Sequence, residues 1–300
     1  MYQNKITVRW RGSFLKRVVV ALMVLSGVSA PTFDRCCLGA DATWKQIPAP
    51  LPLPKPMCSG YASVNDIQLY YAIYGKGNPL VLLHGGLGNM ENFGNQIPAF
   101  ANDFEVIAVD SRGHGRSTRS SQPYSYGVMA SDVLALMDYL NVPKASIVGW
   151  SDGAIIGLDI AIHHPERVDK LVAFAANFVV SGLREELRHN GTFNQYFELA
   201  QQDYKRLSST PDRYMEFVAA IREMWRTQPQ YSPQQLASIK SPTLVIDGEY
   251  DEAIKRSHTE EMSHRIPNSQ LAILPGVSHF AMFQNPDEFN KVVLEFLSGH

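Results

Sequence analysis

The sequence predicts an α/β fold, a mostly parallel doubly wound sheet with a helical insertion after the sixth strand. Three observations carry that prediction. The runs Pro79–Leu83 and Phe104–Val109 are apolar throughout rather than alternating, as expected of strands covered on both faces. Such runs alternate with helical stretches, among them Ser131–Leu140 with its stripe of Val133, Leu134, Leu136, Met137 and Leu140. At one strand-to-helix junction stands Gly149-Trp150-Ser151-Asp152-Gly153, directly after the apolar run Ala145–Val148.

The chain as a whole fits an ordinary globular protein. It has 300 residues, 45% of them apolar and 19% charged, and a net charge of −2, which gives no electrostatic argument for nucleic acid or an anionic membrane. The first residues differ. Lys5, Arg9, Arg11, Lys16 and Arg17 precede the apolar core Val18–Leu25, and the small residues Ser26, Gly27, Ser29 and Ala30 follow. Residues 1–42 therefore read as an export signal and leader, predicting a periplasmic or secreted protein. The apolar core is too short to span a bilayer comfortably, so no stable membrane anchor is expected. Val28-Ser29-Ala30, followed by Pro31, and Ala40-Asp41-Ala42 are the competing cut points. Translation from Met57 would instead leave a cytoplasmic domain. The three cysteines, Cys36, Cys37 and Cys58, all precede the predicted domain, and no cysteine–histidine spacing suggests a metal site.

Residues 43–57 follow as a proline-rich spacer, expected to be extended and solvated. The core is predicted over 58–178 and 241–300. Tyr61–Val64 and Ile67–Tyr74, joined by Asn65-Asp66, read as a β-hairpin. Asn89 to Ala101 can form a helix. After the serine motif, Ala154–Ile162 reads as a strongly apolar helix and Leu171–Ala176 as a strand. Residues 179–240 lack strand signals. They read as a cap of helices near Asn194–Arg206, Pro211–Thr227 and Pro233–Ile239. Strands resume at Thr243–Asp247 and Leu271–Leu274, and Asp287–Leu297 is a final helix.

Glycine on either side of a serine between strand and helix permits a sharp turn that exposes the serine Oγ at the top of a parallel sheet. The plainer alternative makes Ser151 a helix cap. A serine hydroxyl needs a base, an orienting acid and an oxyanion hole to attack a carbonyl. His279, in the loop between the last strand and the last helix, is the candidate base; His84 and His114 compete. Asp251 is the candidate acid, placed three residues after Gly248, where a tight turn folds its side chain toward His279. Asp247 reads as a structural acceptor, and Glu249 and Glu252 as solvated. The backbone amides of Gly86, in His84-Gly85-Gly86-Leu87-Gly88, and of Asp152 are the candidate oxyanion donors. Asp110–Ser117 reads as a polar loop bracing the same face. The cap aromatics Phe193, Tyr196, Phe197, Tyr204, Tyr214, Phe217, Trp225 and Tyr231 suit either a pocket wall or packing between helices.

Together the elbow, Phe174-Ala175-Ala176-Asn177, Gly248-Glu249-Tyr250-Asp251 and Asp287-Glu288-Phe289-Asn290 resemble the α/β-hydrolase superfamily, and within it the valacyclovir-hydrolase (biphenyl-hydrolase-like) group. The resemblance implies the α/β-hydrolase fold with a helical cap. It also implies hydrolysis of α-amino-acid esters, with the aspartate after the nucleophile, here Asp152, receiving the substrate ammonium. The expected function is a cofactor-free, metal-free serine hydrolase that cleaves a small-molecule carboxylic ester through an acyl-enzyme. The same residues also suit a lactone, an amide, a carbon–carbon bond or perhydrolysis. A non-catalytic binding module would be expected to carry a broken triad. Oligomeric state is not legible.

Overall fold

A computed structural model describes residues 43–186 and 190–299. The leader, its two cut points, Cys36 and Cys37 lie outside the described residues. Eight strands form one sheet: β1 (Cys58–Val64), β2 (Ile67–Tyr74), β3 (Asn78–Leu83), β4 (Phe104–Val109), β5 (Ala145–Trp150), β6 (Val168–Phe174), β7 (Thr243–Gly248) and β8 (Ser269–Leu274). Their spatial order is β1-β2-β4-β3-β5-β6-β7-β8. The hairpin β1–β2 pairs antiparallel and joins β4 antiparallel, while every pair from β4 to β8 is parallel. The order reverses between β3 and β5, where the loops after both strands face one crevice, the usual ligand site of such sheets.

The helices are α1 (Ile97–Phe100), α2 (Tyr126–Tyr139), α3 (Asp152–His163), α4 (Gly191–Leu207), α5 (Tyr214–Thr227), α6 (Pro233–Ala237), α7 (Arg256–Arg265), α8 (Ala281–Gln284) and α9 (Pro286–Ser298). Every residue of β5 is buried, as is α3 from Asp152 to Ala161, because strand and helix are covered on both sides. Helices α4 to α6 fall between β6 and β7, close to the three stretches read from the sequence. Helix α7, between the last two strands, has little apolar periodicity and was not anticipated. No helix among the described residues is long and apolar enough to cross a membrane.

Two expectations need correction. Asn89–Ala101 is not one helix but a tight turn, Met90–Phe93, followed by α1. Asn89 caps the turn by accepting from Glu91 N–H, and α1 starts afresh at Ile97, with Pro98, which has no N–H to donate, in its first turn. Gly94 lies between them, and a Cβ there would sit 1.8 Å from the carbonyl oxygen of Leu51. Leu51 belongs to the segment expected to be a solvated spacer. That segment is extended but packed on the domain. Trp44, Ile47, Pro50, Leu53 and Pro56 are half-buried while the residues between them are exposed, a period of three that matches a polyproline II helix with one edge against the protein. Ile47 and Leu53 pack on the core, and Trp44 stacks on Tyr250 at 5.1 Å. Gln284 Nε2 donates to the carbonyls of Trp44 and Gln46, each at 3.0 Å.

Candidate active site

The chain between β5 and α3 turns at Ser151, whose φ of 53° and ψ of −117° lie where a residue with a Cβ is strained. The turn is tight on both sides. A Cβ on Gly149 would stand 2.4 Å from the oxygen of Gly153, and one on Gly153 would stand 2.0 Å from the oxygen of Leu83. Ser151 N–H donates to Phe174 O at 2.8 Å, anchoring the turn to β6. Ser151 stands at the N-cap position of α3, but its side chain makes no capping bond. It lines a cavity of about 650 Å³, mouth included, together with Gly86, Asp152 and His279.

His279 is held at three points. Its Nδ1 lies 2.8 Å from Asp251 Oδ2, its backbone N–H donates to Glu252 Oε2 at 3.2 Å, and its carbonyl accepts from Trp150 Nε1 at 3.0 Å. The last contact ties the histidine loop to the residue just before Ser151. A carboxylate only accepts, so Nδ1 carries the proton and Nε2 is the basic nitrogen. Burial lowers the imidazole pKa, opposed by the nearby Glu252, Asp247 and Asp152. Asp251 is fixed in turn: its Oδ1 accepts the N–H groups of Ala253 and Ile254, each at 2.6 Å. Burial pushes its carboxyl up to about 6. Burial and the neighbouring Asp251 push the Asp247 carboxyl well above the usual carboxylate range. Asp247 accepts from Gly248 N–H and Thr259 Oγ1, a structural arrangement. Glu249 is exposed and accepts from Gly276 N–H. Glu252 is buried, contrary to expectation, because its loop folds back onto the histidine.

The competing histidines have structural partners. His84 Nε2 accepts Ser111 N–H at 3.0 Å and its Nδ1 donates to Gly85 O at 2.8 Å, a neutral ring pinned at both nitrogens. His114 packs edge-on to Phe217, and burial pushes it down to about 3. Around it, Asp110 accepts from Met90 N–H and Arg116 N–H, and Arg112 pairs with Asp132. Beside Ser151, the backbone amides of Gly86 and Asp152 have no protein acceptor among the described residues.

Asp152 departs most from its expected surroundings. It is buried, with Oδ1 accepting from Tyr126 Oη at 2.9 Å. Both of its oxygens accept from Trp225 Nε1, at 2.9 and 2.7 Å. Burial raises its carboxyl to about 6, with the Trp225 and Tyr126 bonds opposing. Of the cap aromatics, Phe193, Tyr196, Phe197 and Trp225 line the cavity; Tyr204 instead stacks on Phe217 and packs tilted against Tyr214, and Tyr231 donates to Asp159. The sequence reading did not place Tyr126, Asn177, Gln228 and Ile254 in the wall, which they help to line. Only the spacing of Phe193, Tyr196 and Phe197 along one helix face offered a signal.

Residues 78–223 match the family model described as the alpha/beta hydrolase fold. The human serine hydrolase BPHL is 28% identical over 253 residues, spanning 80% of this chain and 86% of that protein. The 2-hydroxy-6-oxo-6-(2'-aminophenyl)hexa-2,4-dienoic acid hydrolase of Metapseudomonas resinovorans is 27% identical over 263 residues, spanning 79% and 90%. Among solved structures, the meta-cleavage product hydrolase of Pseudomonas fluorescens IP01 superposes with a TM-score of 0.72 at 25% identity, covering 81% of this chain and 98% of that one. With this sheet order, this matched segment and these relatives, the chain has the α/β-hydrolase fold and is similar to hydrolytic enzymes of that fold.

Proposed function

We propose that the protein is a serine hydrolase of small carboxylic esters, acting through an acyl-enzyme. The observation that carries this reading is the meeting of Ser151, on a strained turn, with His279, ring-bonded to Asp251 at 2.8 Å, in one cavity. In this mechanism His279 Nε2 takes the proton of Ser151 Oγ as it attacks the carbonyl carbon. The Asp251 carboxylate holds the tautomer and stabilises the imidazolium. The amides of Gly86 and Asp152, lacking protein acceptors, receive the oxyanion. The imidazolium then protonates the leaving alcohol, and water, activated by the same histidine, releases the acid.

Asp152 supports a narrower reading within this one, α-amino acyl esters. A buried carboxylate is costly unless paired, and here only two neutral donors, Trp225 and Tyr126, satisfy it. A substrate ammonium beside Ser151 would supply the missing positive charge. Export from the cytoplasm remains part of the proposal on the basis of residues 1–42.

Hydrolysis of p-nitrophenyl acyl esters by the chain from Thr43 onward, with α-amino acyl esters beside their des-amino analogues, tests both levels. A preference for amino esters that disappears in Asp152→Asn supports the narrower reading. Plain short esters without that preference leave a general carboxylesterase. Turnover only of vinylogous diketones or lactones replaces the ester proposal.

A further inference from the structure

His279 has a second carboxylate behind it. Glu252 is 8% exposed, its Oε2 accepts the backbone N–H of His279 at 3.2 Å, and its Oε1 is buried without a protein partner among the described residues. No Lys or Arg pairs with it among the described residues, so the imidazole of His279 is the cationic partner within its reach. Glu252 is not part of the cavity wall, whereas Ala253, Ile254 and His279 are, so it lies behind the surface that meets substrate. The loop 251–254 thus delivers one carboxylate to the imidazole Nδ1 and the next to the main chain of the same residue.

We infer that Glu252 is a positioning residue: its acceptor fixes the backbone of His279, and its charge stabilises the imidazolium formed during acyl transfer. The inference rests on the serine-hydrolase reading. The charged groups facing His279 are Asp251 on the ring, Glu252 behind the main chain, and Asp247 and Asp152 at longer range. Removing the Glu252 charge therefore leaves an acidic environment, but a weaker one, and the imidazole becomes less basic.

Glu252→Gln keeps the size and an acceptor for the His279 N–H while deleting the charge. In the full chain, an NMR pH titration of the His279 ring, assigned by loss of its signal in His279→Gln, is expected to show a fall of about one pH unit. The rise of kcat with pH should move down with it, and kcat should drop about three- to tenfold at unchanged KM. A Gln variant with unaltered ring titration and kcat would overturn the inference, reducing Glu252 to a loop brace. Should that variant fail to fold, Glu252→Asp retains charge with a shorter reach. A ring pKa held within about 0.3 units beside a lowered kcat supports the inference, and an unchanged kcat overturns it. If no ester is turned over by any form, the serine-hydrolase reading fails, while the ring titration still decides whether Glu252 acts on the imidazole.

Discussion

The indole N–H of Trp225, on α5, donates to both oxygens of Asp152, the residue after Ser151, at 2.9 and 2.7 Å. One side chain of the helical insertion therefore holds the carboxylate nearest the candidate nucleophile. Trp225→Phe removes this donor and leaves the ring volume roughly filled, so the Asp152 pKa should climb above its value of about 6. If Asp152 receives a substrate ammonium, preference for amino esters should fall about tenfold near pH 6.5 and recover toward pH 8.5. The kcat/KM ratio for paired amino and des-amino esters across pH reads this directly.

The same carboxylate predicts a pH dependence of stability. Its pKa of about 6 in the folded state lies above the ordinary 3.8. The folded state therefore binds more protons than the unfolded one between those values, and stability falls as pH rises through about 6. Asp152→Asn removes this loss and keeps an acceptor for Trp225 and Tyr126. The variant should be more stable at pH 7.5 by on the order of 2 kcal/mol, with the gain vanishing near pH 4. Denaturant midpoints at the two pH values measure it.

Ser151 combines strain with the proposed chemistry. Ser151→Ala should abolish ester turnover with melting temperature nearly unchanged, since the side chain makes no capping bond. Ser151→Gly also abolishes turnover but relieves the left-handed φ of 53°, which should raise stability by about 1 kcal/mol. In a domain of this size that is about 2–4 °C by calorimetry. Turnover retained by either variant would sink the assignment of the nucleophile.

The close passage of Leu51 over Gly94 makes a steric prediction. With a Cβ 1.8 Å from the Leu51 oxygen, Gly94→Ala cannot keep the segment seated. Loss of its apolar contacts should cost about 2 kcal/mol, and limited proteolysis should then cut between Trp44 and Pro56. Resistance equal to that of the wild type would show that the segment does not depend on this crossing.

Much of this was legible because it is local. Runs buried on both faces read as strands, the glycines flanking Ser151 mark a turn too tight for side chains, and the serine, acid and histidine fall in the loops after β5, β7 and β8. What stayed hidden depends on distant chain. Trp225 is separated from Asp152 by 73 residues, and no pattern within either helix announces the bond. The close approach of the Leu51 carbonyl to Gly94 is likewise set by chain more than 40 residues away. Glu252 looked like surface because three acidic neighbours surround Tyr250 in sequence; only the fold-back of the loop against His279 buries it.

The packed polyproline segment also fixes where Thr43, the first described residue, sits on the domain. From Pro56 back to Gln46 it runs about 31 Å at ~3.1 Å per residue, and the turn Thr43–Lys45 then lies beside the loop that bears His279. There Thr43 Oγ1 donates to Gly276 O at 3.4 Å and Gln284, bonded to Trp44 and Gln46, also accepts Ser278 N–H at 2.7 Å. A mechanical load applied at Thr43 is thus transmitted first to the histidine loop, not to β1. Tethering the protein at this end and tethering it at the other are two different perturbations of the same enzyme.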